Sequence, residues 1–196
     1  NNGKTNTKNM NNIEKAKENG QSIWLDSISR QMLNARELQK FVELGVTGVT
    51  SNPSIFDSAL AESDTYDESL IEYAKDGASR EIIFERLAVE DIRDAADVLR
   101  PVYDRNHNKD GYVSIEVSPV LAHDTEGTII EARRLWAAIN RPNVMIKVPG
   151  TPSGIPAIKT YLKLGFVPDW SHPSFEDRWK EIFASLGSSY AQYECL

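Results

Sequence analysis

The chain has 196 residues, of which 40% are hydrophobic and 26% charged, and its formal net charge is −7 at pH 7. This balance is typical of a soluble globular protein with one domain, or one domain and an additional segment. The negative charge argues against a nucleic-acid partner. Cys195 is the single cysteine, which excludes an internal disulfide. No apolar run reaches the roughly 20 residues that a membrane helix needs. We therefore expect a cytoplasmic protein that acts on small molecules, with no nucleic-acid or membrane partner.

The amino-terminal segment begins NNGKTNTKNMNN, which is too polar to contribute to a core. We predict that residues 1–20 form a disordered lead-in. Beyond it, short apolar runs predict four strands, at SIWLD, GVTGVTSN, YVSIEVSP and NVMIKVP. Helical periodicity predicts the intervening helices, at residues 36–44 closed by Gly45, 55–60 capped by Ser54, 64–74 closed by Gly77, 79–103, and a helix to residue 140 capped by Asp124.

This alternation of strands and helices predicts consecutive βα units, and therefore a parallel sheet with right-handed crossovers. Four such units make about half of a (β/α)8 TIM barrel, which needs roughly 250 residues when complete. We expect an α/β fold of this kind: a partial barrel followed by a helix-and-strand tail.

A lysine in the fourth strand is the first candidate for chemistry. Lys147 lies between Ile146 and Val148 in an apolar run, where a charge is unusual. A neutral lysine amine attacks a carbonyl carbon to form a Schiff base. The alternative is a snorkelling or salt-bridged lysine at a strand end.

Two carboxylates occupy comparable places, Asp26 at the end of the first strand and Glu116 within the third. Alternation along strands puts each on the inward face of its own strand if Lys147 also faces inward. Carboxyl groups there would move protons to and from a carbinolamine and sugar hydroxyls. The alternative for each acid is a helix cap or a surface group.

Metal chemistry has weaker support. The segment DRNHNKDGYVSIE resembles a calcium loop, but Lys109 replaces the required glycine and Ile115 the bidentate glutamate, so we expect a turn. His107, His123 and His172 are scattered, and no glycine-rich phosphate cradle is present. We expect neither a metal nor an organic cofactor.

Four separated segments together resemble the blocks of the transaldolase family, in their usual order and over about residues 21–158: IWLDSISRQML, GVTGVTSNPSIF, VSIEVSPVLAHDTEGTIIEARRL and NVMIKVPGTPSGIPAI. The resemblance implies that Lys147 is the Schiff-base lysine and that Asp26 and Glu116 are the acid/base groups. It implies further that Asn52, Thr50 and Ser114 bind the hydroxyls of the ketose.

For activity, the resemblance implies transfer of a dihydroxyacetone unit from a ketose phosphate, sedoheptulose 7-phosphate or fructose 6-phosphate, to an aldose phosphate in the pentose phosphate pathway. Two alternatives remain open: a truncated or chimeric fragment without catalysis, and a Schiff-base aldolase acting on small sugars. The open sheet edge of half a barrel also favours a homo-oligomer.

The tail differs from the rest of the chain. Residues 159–196 no longer resemble transaldolases, and residues of about 155–194, including KTYLKLGFVP, resemble the end of a GNAT-type acetyltransferase. We therefore predict three regions: the lead-in 1–20, the transaldolase-like half barrel 21–158 and an unrelated tail 159–196.

Overall fold

The computed structural model describes residues 11–151. The predictions for residues 1–10 and for the GNAT-like tail lie outside the described residues. Within 11–151, none of the helices combines the length and the apolarity needed to cross a membrane.

Short strands and helices alternate along the described chain. The strands are β1 (Trp24–Leu25), β2 (Gly48–Thr50), β3 (Val113–Glu116) and β4 (Val144–Lys147), each inside a predicted run. The helices are α1 (Asn12–Glu18), α2 (Arg30–Asn34), α3 (Glu37–Leu44), α4 (Pro53–Glu62), α5 (Asp67–Lys75), α6 (Arg80–Arg105) and α7 (Thr125–Ile139). The 3-10 helices Asp64–Tyr66 and Pro119–Leu121 complete the order.

The four strands form one parallel sheet in chain order, β1-β2-β3-β4, which confirms the predicted topology. The apolar face of the sheet buries valine and isoleucine side chains, and α6 packs against β3. The residues of this face are Val49, Val113, Ile115 and Val144. Their burial, together with the β-branched composition of the strands, accounts for why these segments form a sheet.

Helix α1 differs from the prediction that residues 1–20 are disordered. Asn11 and Glu14 form a capping box, in which each side chain accepts the other residue's backbone N–H at 2.8 Å. Asn11 Nδ2 also donates to the Leu44 carbonyl oxygen at 2.8 Å, at the end of α3. These bonds order the segment although its composition is polar.

The start of α4 also differs from the prediction. Asn52, not Ser54, is the N-cap, and its Oδ1 accepts the Ile55 N–H at 3.0 Å. Pro53 occupies the first turn, where a missing N–H costs nothing. Elsewhere the predicted signals are confirmed, since Gly45 and Gly77 end α3 and α5 with φ of 113° and 75°.

The described residues divide into two compact units, and the second contains residues 119–131 and 148–151. Within it, Asp124 Oδ1 accepts the Gly127 N–H at 2.9 Å, which confirms the predicted cap of α7. Thr128 Oγ1 bonds to the carbonyl oxygens of Asp124 at 2.7 Å and Leu121 at 3.0 Å. These bonds fix the first turn of the helix.

A buried ionic network joins the helices of the first unit. The Asp91 carboxylate, 0% exposed, accepts from Arg30 Nε at 2.8 Å and from the Tyr66 hydroxyl at 2.7 Å. Arg30 Nη2 also donates to Glu90 at 2.7 Å. Burial raises the pKa of the Asp91 carboxyl, while Tyr66 and Arg30 act in the opposite direction. The network ties α2 and the segment before α5 to α6.

Replacement of Asp91 by Ala should lower the free energy of unfolding by about 3–5 kcal/mol, because it leaves the partly buried Arg30 and the Tyr66 hydroxyl short of an acceptor. Denaturant unfolding measures this loss. The exposed Asp94 lies on the same helix, and Asp94→Ala should change stability by no more than about 0.5 kcal/mol. Equal losses in the two variants would contradict the role given to the network.

A close contact between β1 and β2 explains why residue 48 is a glycine. A Cβ on Gly48 would lie 2.3 Å from the ring of Trp24, so the indole covers the backbone of β2. Real side chains do not approach so closely, so a Cβ at residue 48 would force the indole or the backbone to shift.

The variant Gly48→Ala should therefore destabilise the protein by about 1–3 kcal/mol in denaturant unfolding, as overpacking does. Gly150→Ala is the control, because a Cβ there meets nothing within 4 Å. In the double variant with Trp24→Ala, the cost of Gly48→Ala should largely disappear, since the two residues are in contact. A Gly48→Ala protein as stable as the parent would disprove the contact.

Candidate active site

Polar side chains gather on the sheet face opposite the buried valines. The register pairs Thr50 with Ser114, Ser114 with Met145, and Glu116 with Lys147. Register partners in a parallel sheet share a face, and so do residues two apart on a strand. Thr50, Ser114, Glu116 and Lys147 therefore lie on one face. For Glu116 and Lys147 this shared face agrees with the alternation along their strands.

Lys147 ends β4 with three oxygen atoms around its amine. Nζ donates to the Ser51 carbonyl oxygen at 2.9 Å, lies 3.5 Å from Thr50 Oγ1, and lies 3.4 Å from Glu116 Oε2. The Lys147 side chain is 40% exposed and that of Glu116 27%. The ion pair considered among the alternatives is thus present, but in a position that solvent and a small molecule can reach.

The arrangement permits chemistry at the amine as well as pairing. An ammonium has three N–H donors, matching the three surrounding oxygens, whereas a neutral amine keeps two donors and gains a lone pair. Glu116 is the nearest carboxylate and can accept the proton that separates these states. The arrangement therefore places an amine and a carboxylate 3.4 Å apart, close enough for a proton to pass between them.

Hydroxyl groups continue the site toward β2. Ser114 Oγ donates to Thr50 Oγ1 at 2.9 Å, so the two hydroxyls form a bridge between β3 and β2. Because Thr50 also approaches Lys147 Nζ, the bridge connects the amine to Ser114. Each hydroxyl has one donor and two acceptor lone pairs, so both retain capacity for a further hydrogen bond.

Asn52 follows β2 and has its two polar atoms in different roles. Its Oδ1 caps α4, and within residues 11–151 its Nδ2 has no hydrogen-bond partner. In the described part of the chain, its two amide N–H groups are thus donors without an acceptor.

Asp26 directly follows β1 and is exposed. Since Leu25 pairs with Val49, Asp26 leaves the sheet level with Thr50. In the described part of the chain its carboxylate makes neither a hydrogen bond nor an ion pair, so Asp26 shares the edge of the site without contacting the other candidates.

Sequence reasoning missed Ser51. This residue is 0% exposed, its Oγ donates to the Ser114 carbonyl oxygen at 2.7 Å, and its own carbonyl oxygen binds Lys147. The only available signal was a small polar residue directly after a buried strand.

The segment that resembled a calcium loop is a turn between α6 and β3, as predicted. Asp104 pairs with Arg100 at 2.9 Å, and Asn106 Nδ2 donates to the Val102 carbonyl oxygen at 2.9 Å. Residues 107 and 108 adopt left-handed φ angles of 52° and 65°. Among residues 11–151, no group of three or more His, Cys, Asp or Glu side chains has metal-binding geometry.

Comparison with known proteins agrees with this arrangement. The family model "Transaldolase/Fructose-6-phosphate aldolase" matches residues 23–167, which include all four strands. The transaldolase of Thiobacillus denitrificans is 52% identical over 147 residues, covering 74% of this chain and 41% of that protein. Transaldolase 2 of Nostoc sp. is 47% identical over 157 residues, 80% of this chain and 41% of the relative.

Transaldolase 1 of Streptomyces avermitilis is 42% identical over 172 residues, which are 87% of this chain and 46% of the relative. The chain thus spans less than half the length of these curated relatives. The family match covers most of the chain, and the aligned region contains the lysine, the carboxylates and the hydroxyls described above. This chain belongs to the transaldolase/fructose-6-phosphate aldolase family.

Proposed function

We propose that the protein transfers a dihydroxyacetone unit from a ketose phosphate, sedoheptulose 7-phosphate or fructose 6-phosphate, to an aldose phosphate through a Schiff base on Lys147. The observation that carries the proposal is the Lys147 amine on the polar sheet face, 3.4 Å from the Glu116 carboxylate. Membership of the family supports the same chemistry.

The reaction begins when neutral Lys147 Nζ attacks the ketose carbonyl carbon. Loss of water from the carbinolamine gives a protonated imine, which accepts electrons when the C3–C4 bond breaks. The C4 hydroxyl loses its proton in that step, and an aldose leaves. The three-carbon enamine on Lys147 then attacks the acceptor aldehyde, and hydrolysis of the new imine frees the lysine.

Glu116 and Asp26 are the proposed proton-transfer groups. Glu116 lies close enough to take a proton from the amine, or to protonate the carbinolamine hydroxyl so that it leaves as water, directly or through a water molecule. Asp26, exposed at the same edge, would serve the sugar hydroxyl whose proton is lost on cleavage. The separate positions of the two acids suit two separate transfers.

Asn52, Thr50 and Ser114 are the proposed ketose-binding residues. The amide of Asn52, which has no partner among residues 11–151, suits a hydroxyl or carbonyl oxygen. The Thr50–Ser114 bridge offers hydroxyls that can also bond to a sugar. Fixing the ketose by these bonds would hold its carbonyl carbon near Nζ, and such positioning contributes strongly to rate.

We extend the proposal to the wider protein in four respects. The parallel sheet is the first half of a (β/α)8 barrel, the boundary at residue 158 separates it from a GNAT-like tail, the protein is cytoplasmic, and it forms a homo-oligomer. The reaction as written needs no cofactor.

A Schiff-base aldolase is the second candidate, favoured by the matched family model, whose description includes fructose-6-phosphate aldolase. Product analysis separates the two activities. Release of free dihydroxyacetone without an acceptor indicates an aldolase, whereas products that form only with an aldose phosphate present indicate a transaldolase.

Incubation with fructose 6-phosphate and borohydride should add one reduced three-carbon unit to the protein, at Lys147. Without an acceptor the unit stays on the lysine, and borohydride converts the imine to a stable amine. Intact-mass spectrometry with peptide mapping detects it. Lys147→Ala should lose the adduct, and Lys75→Ala, an exposed lysine of α5, should retain it. A folded parent protein without the adduct would overturn the proposal and favour a non-catalytic fragment.

The variant Glu116→Gln should slow adduct formation by about 100-fold, since it removes a proton-transfer group. Its free energy of unfolding should change by less than about 1 kcal/mol, because the ion pair is solvent-accessible. Glu85→Gln is the matched control: Glu85 pairs with Arg134 at similar side-chain exposures, 36% and 45%. It should alter neither stability nor rate appreciably, and an unchanged rate in Glu116→Gln would remove Glu116 from the mechanism.

A further inference from the structure

Ser51 is a buried polar residue in contact with the site but without an assigned part in the reaction. It lies between Thr50, the last residue of β2, and Asn52, the cap of α4. We propose that Ser51 is a positioning residue, whose side chain fixes the backbone carbonyl that orients the Lys147 amine. This inference rests on the proposed function.

Two hydrogen bonds meet on this one residue. The hydroxyl donates to the Ser114 carbonyl oxygen at 2.7 Å, and the Ser51 carbonyl oxygen accepts from Lys147 Nζ at 2.9 Å. Because Ser51 is 0% exposed, no water competes for its hydroxyl. The bond to β3 therefore determines where the carbonyl lies, and the carbonyl determines where the end of the lysine lies.

The Ser51 carbonyl oxygen can orient the Lys147 amine without reacting with it. Its bond to Nζ, at 2.9 Å, is shorter than the approaches of Glu116 at 3.4 Å and Thr50 at 3.5 Å. A carbonyl oxygen accepts an N–H from the ammonium and from the neutral amine alike, and it does not take the proton. Glu116 is thus left to act as the base while Ser51 keeps the nitrogen in place.

Lysine needs such an anchor more than a shorter side chain does. Its amine stands on a flexible four-carbon stem, so an unrestrained Nζ samples many positions. Attack on a carbonyl requires the nitrogen near 3–3.5 Å from the carbon with its lone pair aligned. Through Ser51, the position of the nucleophile on β4 depends on the backbone of both β2 and β3.

Removal of the hydroxyl tests this dependence. In Ser51→Ala, the borohydride-trapped rate at saturating fructose 6-phosphate should fall at least about tenfold, because the nitrogen loses its fixed position. Ser51→Cys keeps the volume but is a weak donor, and it should be slowed in the same way. Ser51→Thr keeps a hydroxyl and should recover most of the rate.

The matched control is Thr47→Val, one residue before β2. Thr47 is 3% exposed, and its hydroxyl has no hydrogen-bond partner among the described residues. This variant removes a buried hydroxyl from the same segment and should leave the rate unchanged. Circular dichroism establishes that each protein compared is folded.

The outcomes separate the two proposals. Slow trapping in folded Ser51→Ala and Ser51→Cys with recovery in Ser51→Thr supports the positioning role. Parental rates in folded Ser51→Ala or Ser51→Cys would overturn it and leave the Schiff-base function intact. A parent protein that forms no adduct on Lys147 would overturn the function, and the positioning role with it.

Discussion

The parallel register between β3 and β4 is the constraint on which the candidate site depends. It sets Glu116 beside Lys147 and Ser114 beside Met145. A slip of one residue would turn Lys147 toward the helices and a valine or isoleucine toward the open face. The buried residues of the opposite face, Val113 and Val144 among them, prevent that slip because their exposure would lose apolar burial. The same strand register therefore buries the core residues on one face of the sheet and aligns the candidate site residues on the other.

Much of this arrangement could be predicted from residue types. Period-two alternation and the βα repeat led to the parallel sheet and to a shared face for Glu116 and Lys147, both of which the structure contains. Backbone contacts could not be predicted in this way. The lysine binds the backbone carbonyl of Ser51, and because every residue has such a carbonyl, the identity of residue 51 does not reveal the contact. Tertiary capping also escaped prediction, as in α1, where a bond from Asn11 to Leu44 orders a polar segment.

The buried network around Asp91 and the Glu116–Lys147 pair differ in solvent access. Asp91 is fully buried with Arg30 and Tyr66 among the helices, where an uncompensated charge is costly. Glu116 and Lys147 stay partly exposed at strand ends, where water screens their attraction and the ion pair contributes little to stability. The charges that tie the helices together are therefore distinct from the exposed ion pair of the candidate site.

The position of Asn52 limits the amino-acid substitutions that the protein can accept there. Its Oδ1 caps α4, while its Nδ2 makes no hydrogen bond to any residue of the described segment 11–151. Substitution by Asp or Ser retains a cap but removes the amide donor, while substitution by Ala removes both. Gln keeps the amide, but its longer side chain is not among the preferred caps. Of these residues, Asn alone combines a preferred cap for α4 with the amide proposed to contact a ligand, so keeping both features restricts position 52 to Asn.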